Sequence, residues 1–141
     1  MGRILFRFKA GNQRRTAQDR SDHGVSTAAP LAVTMRLVEP GTAVITVCGQ
    51  IDMSNGALFE HQLVAEIRPG GPRLVVDLTA VEFMGAAALT ALLTVDACAR
   101  ASGDRGISIV ARTHAVVSPL TAAGLHQFFD MHPDLAHACA G

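Results

Sequence analysis

A mixed α/β fold, with a four- to five-stranded sheet opened by a β-hairpin and flanked by about four helices, is what this sequence predicts. Three observations carry the prediction. Leu31, Val33, Met35 and Leu37 alternate with Ala32, Thr34 and Arg36, and after Pro40-Gly41 the residues Ala43, Ile45 and Val47 alternate again. That is the pattern of two half-buried strands joined by a tight turn. Leu74-Val75-Val76-Asp77-Leu78 is a continuous apolar run, expected of a central strand covered on both faces. Helical spacings then alternate with short strands down the rest of the chain, which calls for a sheet with helices packed on it.

Each element has its own signals. From Asn55 to Ile67, Leu58, Phe59, Leu63, Val64 and Ile67 fall at helical spacing, with Ser54 or Asn55 as N-cap and Pro69-Gly70-Gly71-Pro72 as the stop. A second helix starts near Gly85 and runs through Ala86, Leu89, Leu92, Leu93 and Val95 to about Ala101, ending at Ser102-Gly103. Ile107 to Val110 reads as a strand, and Ala115 to about Ala123 as a third helix closed by Gly124 at C′. Phe128-Phe129 reads as a short last strand before a C-terminal helix from Pro133 onward.

Domain organisation follows from composition. The 141 residues have room for one core plus an appendage, and with 49% hydrophobic and 17% charged residues the chain can bury enough surface to fold. Residues 1–30 read as a flexible basic leader and residues 31–141 as the domain. The leader holds six Lys or Arg against two Asp, a net +4; the rest holds six Arg against ten Asp or Glu, a net −4. The folded part therefore has no basic field suited to nucleic acid. No apolar run approaches the roughly 20 residues needed to cross a bilayer, and Met1 to Phe8 is too short in apolar residues for a signal-peptide core. A cytoplasmic protein is expected.

No constellation looks catalytic, and no cofactor or metal is expected. His61, His114, His126, His132 and His137 sit in no HExxH motif and near no GxSxG elbow, and the glycines form neither a P-loop nor GxGxxG. Cys48, Cys98 and Cys139 show no CxxC spacing. Apolar packing in a reducing compartment is the ordinary reading of the three thiols, with a redox-sensing pair as the alternative.

Three local matches, in order and at matching spacing, carry a resemblance over about Leu31 to Ala138. Gly49-Gln50-Ile51-Asp52 is similar to the G-E-L-D that follows the second strand of STAS domains. Leu74-Val75-Val76-Asp77-Leu78 is similar to their V-V-L-D-L strand, and Val81 to Leu89 aligns with their hallmark V-x-F-[IM]-D-S-S-G-L. The chain thus resembles the STAS family, shared by sulfate transporters and anti-sigma factor antagonists. The resemblance implies a STAS-like fold and a non-catalytic regulator of transcription that acts by binding an anti-sigma factor of the serine-kinase type.

The hallmark is where the sequence departs from the family. Gly85 stands at the family's Asp, Ala86 at the serine that an anti-sigma kinase phosphorylates, Ala87 at the second serine and Ala88 at the glycine. A phosphoserine there would place roughly −1.5 to −2 charges at a helix N-terminus, and alanine has no hydroxyl to accept it. The helix tolerates the change, because Gly is only a few tenths of a kcal/mol worse than Asp at an N-cap and alanine is the best helix former. The resemblance then implies constitutive binding, or control by a route other than phosphorylation.

The expected docking residues are Asp52, Ser54, Met84, Gly85, Ala86, Ala87, Ala88, Leu89 and Thr90. Ala86, Ala87, Leu89, Ala91, Leu92, Leu93, Val95, Ala97 and Cys98 leave the helix few solvated positions, as expected of one that is buried or covered by a partner. Thr90 or Thr94 is a rival phosphosite, displaced by at least one turn, about 5.4 Å. An alternative class is a STAS subunit that partners a transporter ATPase or a signalling scaffold through the same helix face.

Overall fold

The computed structural model of the chain describes residues 3–10, 31–38, 41–103 and 106–140. Its sheet runs in sequence order, β1 (Arg3–Ala10), β2 (Leu31–Val38), β3 (Thr42–Ile51), β4 (Arg73–Met84), β5 (Ser108–Val110) and β6 (Asp130–His132). β1, β2 and β3 pair antiparallel, whereas β3 to β6 pair parallel. The connections between the parallel strands are α1 (Gly56–Val64), α2 (Ala86–Ser102) and α3 (His114–Ala122), and α4 (Leu135–Ala140) closes the chain.

Strand order decides where the helices go. Parallel neighbours joined by right-handed crossovers in sequential order must carry all their crossover helices on one face. Accordingly, Phe59 and Leu63 of α1, Leu92 and Val95 of α2, and Val116 and Leu120 of α3 share one core with Ile45, Val76, Leu78 and Ile109 of the sheet. The opposite face has a smaller core of Val44, Val75 and Val110 under Ala138 of α4, with Leu135 and Cys139 packed beside it. Leu74 to Leu78 are all buried, as expected of the central strand.

Three elements differ from the sequence reading. The leader expected over residues 1–30 is not unstructured throughout: Arg3–Ala10 pairs with β2 and adds a sixth strand, one more than the four or five expected. Ile4, Phe6 and Phe8 alternate with Leu5, Arg7 and Lys9, a period-2 pattern suited to an edge strand. The remainder of that leader, residues 1–2 and 11–30, lies outside the described residues. The last strand is Asp130–His132 rather than Phe128-Phe129, which follows a 3₁₀ turn over Leu125–Gln127 and stacks edge to face, with ring centroids 5.3 Å apart. Cys48 is exposed rather than packed, while Cys98 and Cys139 are half-buried; all three thiols are free. Gly124 does stand at C′ of α3, with φ +77°.

A polar chain ties the rear face together. Arg73 donates from Nη2 to the Ala138 carbonyl at 2.8 Å and from Nη1 to Ser108 Oγ at 3.0 Å, and Ser108 donates to Asp130 Oδ2 at 2.7 Å. His132 Nε2 lies 3.0 Å from Asp130 Oδ1, close enough to pair electrostatically but too poorly aligned for a hydrogen bond. Partial burial pushes the Asp130 carboxyl up, but the Ser108 hydroxyl, His132 and Arg73 together outweigh it and hold the group below its ordinary range.

A lowered folded-state pKa stabilises at any pH above the unfolded value, about 3.9, and that contribution disappears as pH falls through the folded value. Urea midpoints measured from pH 7 down to pH 3 are therefore expected to fall less steeply for Asp130→Asn than for the unaltered chain. Parallel acid limbs for the two proteins would remove Asp130 from the account.

Candidate functional site

The site expected from sequence lies where β3 and β4 leave the sheet side by side. Ile51 pairs with Met84 across the two strands, and Gly85 N–H donates to the Ile51 carbonyl at 2.9 Å. The loop at Asp52 and the start of α2 are thus fixed to one another by backbone. α1 and α2 then touch at their first turns, since a Cβ on Gly56 would stand 2.9 Å from Ala87 Cβ.

The Asp52 loop is held by its own side chains. Asp52 Oδ1 accepts from Ser54 N at 2.9 Å and from Ser54 Oγ at 2.6 Å. Asn55, buried, accepts from Asp52 N–H at 3.0 Å through Oδ1 and donates from Nδ2 to the Gln50 carbonyl at 3.0 Å. Asn55 occupies the N-cap position of α1, yet neither it nor Ser54 caps the helix: the Asn55 amide is spent fastening the loop to β3. Asn55 is the positioning residue that the sequence reading treated only as a cap.

The expected docking residues divide by burial. Ala86, Thr90 and Ser54 are exposed, and Asp52, Gly85, Ala87 and Leu89 are half-buried. Met84 and Ala88 are buried in the main core, which corrects their inclusion in a docking surface. Both point inward because Met84 ends β4 on its core face and Ala88 lies on the sheet-facing side of α2, in line with Ala91, Leu92 and Val95. Gly85 is the N-cap of α2, in extended conformation and with no side-chain capping bond.

Two exposed side chains at this end were missed, Met53 and Phe83, 90% and 47% exposed. The cause is a pair of irregularities in β4. Thr46 faces Asp77 while Cys48 faces Ala80, and Gly49 faces Val81 while Gln50 faces Phe83. β4 thus carries an extra residue at each step. The second bulge lets Val81 and Met84 both face the core, with Glu82 and Phe83 turned outward between them. On β3 the residue opposite this bulge is Gly49, whose φ of +106° only glycine adopts without strain. The one sequence signal was the spacing of the buried pair, three apart where a regular strand needs two or four.

The STAS domain family model, described as "Mlab, STAS domain", matches residues 35–133. The chain belongs to the STAS domain family. Among curated STAS relatives, the anti-sigma-F factor antagonist RsfB of Mycobacterium tuberculosis is 30% identical over 115 residues, covering 81% of this chain and 93% of that protein. Among solved structures, an anti-sigma factor antagonist from Mycobacterium paratuberculosis superposes with a TM-score of 0.68 at 32% identity, covering 78% of this chain and 92% of the other. A Thermotoga maritima protein with a TM-score of 0.64 and 16% identity shares the fold. This STAS chain is therefore similar to anti-sigma factor antagonists over nearly their whole length. Among the described residues no helix is long and apolar enough to cross a membrane, and no three His, Cys, Asp or Glu side chains gather as a metal site.

Proposed function

We propose that this STAS protein is a cytoplasmic regulator that binds an anti-sigma factor of the serine-kinase type, through the Asp52 loop and the exposed start of α2, without a phosphorylation switch. The observation that carries the proposal is Ala86: it is the first residue of α2, it is exposed, and it bears no hydroxyl. A kinase bound at this tip would meet a methyl group. Thr90 is exposed on the same helix but stands a turn further from the tip, so a catalytic site set for the tip misses it. The similarity to RsfB supports the partner class.

The test uses the purified mycobacterial anti-sigma-F factor and ATP. The expected result is a complex with the unaltered chain whose intact mass does not change, and a gain of one phosphate by Gly85→Asp combined with Ala86→Ser. The double variant needs only a small adjustment of the Phe83 ring, whose Cε2 would stand 3.3 Å from the new Cβ. Absence of any complex would overturn the partner assignment. One phosphate on Thr90 of the unaltered chain would overturn the loss of the switch.

A further inference from the structure

We infer that the docking surface is an apolar patch with an acidic rim, built by the β4 bulge, and that it takes a partner segment presenting an apolar side chain flanked by Lys or Arg. This deepens the reading given above and rests on it. The side chains that would form it are Met53, one residue past Asp52 in the loop tied to the head of α2 by the hydrogen bond from Gly85 to Ile51, and Phe83 and Ala86, which flank Gly85 in the chain. Met53 and Phe83 are the two most exposed large apolar residues on the strand exits, and the Phe83 ring lies over Gly85 at the head of α2. Without the extra residue at Glu82, the alternation that buries Val81 would turn Phe83 inward as well. The bulge therefore exposes an aromatic ring at the end of the sheet where the helix starts.

Charge selects the occupant. No Lys or Arg stands between Arg36 and Arg68, or between Arg73 and Arg100, so β3, α1, β4 past Arg73 and most of α2 carry neither, and His61 of α1 is the one imidazole among them. Among the described residues, the charged side chains next to Met53 and Phe83 in the chain are Asp52, half-buried, and Glu82, exposed, both acidic. A second copy of this chain is a poor occupant, because a two-fold contact would set Asp52 and Glu82 against their own equivalents. An anionic membrane surface is repelled for the same reason. A protein partner with an apolar knob and a basic rim satisfies both the centre and the edge, in the arrangement of a buried anchor inside a charged periphery.

The experiment is titration calorimetry with the purified mycobacterial anti-sigma-F factor against the unaltered chain, Met53→Ser, Phe83→Ala and Glu82→Lys. Met53→Ser and Phe83→Ala are each expected to weaken binding roughly tenfold or more, as for truncation of an interface anchor. Glu82→Lys is expected to weaken it several-fold at low salt, with the difference shrinking as salt is raised. Met53 is so exposed that its substitution leaves the fold intact, which keeps the test decisive even if Phe83→Ala unfolds. Retained affinity in Met53→Ser and Glu82→Lys would overturn the patch while leaving the partner class standing. Absence of binding by the unaltered chain would overturn both.

Discussion

Gly106→Ala is expected to destabilise the domain by about 2–4 kcal/mol, because its new methyl group would fall on a buried carboxylate. A Cβ at that position would overlap Asp96 Oδ1. Asp96 is 1% exposed on α2, accepts from the Ile107 N–H at 2.9 Å, and pairs with Arg100 Nε at 2.7 Å. The carboxylate thus joins the body of α2 to the start of the strand that follows it. The Arg100 guanidinium, in turn, lies 5.5 Å from the centre of the Phe128 ring.

The carboxylate cannot swing away to admit a methyl group without abandoning a buried donor and its own counter-ion. Asp96→Ala is expected to cost a similar amount, since it leaves the Ile107 N–H without its acceptor. If displacement of the carboxylate is the mechanism, Gly106→Ala adds little once Asp96 is already alanine. Full additivity in chemical denaturation of the two single variants and the double variant would contradict that mechanism.

Gly56→Leu should be comparably damaging, at about 1–3 kcal/mol, with a functional consequence as well. The first residue of α1 meets Ala87 of α2 so closely that even a Cβ would stand 2.9 Å from the alanine methyl. A leucine would force the two helix starts apart, and with them the Asp52 loop and Ala86. The thermal midpoint should fall, and affinity for the anti-sigma-F factor should fall by more than the loss of folded protein accounts for. Unchanged affinity per folded molecule would mean that the spacing of the two helix starts is irrelevant to docking.

Most of the element order was legible because each element carries its own period. The alternation through β2 and β3, the continuous run in β4 and the helical spacing of Leu89, Leu92 and Leu93 are local signals, and the structure follows them. Other features needed contacts that no local pattern encodes. The alternation in β1 is local, but its pairing with β2 is a contact made across residues 11–30 and could not be read from that stretch alone. Phe128 and Phe129 drew the last strand two residues early, because bulk and hydrophobicity say little about which backbone will pair with β5. The helix start at Gly85-Ala86 falls where the motif put it. Met84 and Ala88 were placed on the wrong side of the surface, and Phe83 was passed over, because a bulge reverses facing without changing composition.

Val44, Val75 and Val110 come from three strands far apart in the chain, and Ala138, Leu135 and Cys139 close over them from a helix of six residues. Such a short helix has little stability of its own in water. Without residues from Leu135 onward that valine stripe would be open to water. Truncation before Leu135 would therefore yield a molecule with a sticky back, prone to self-association while the end bearing the Asp52 loop and the start of α2 remained whole.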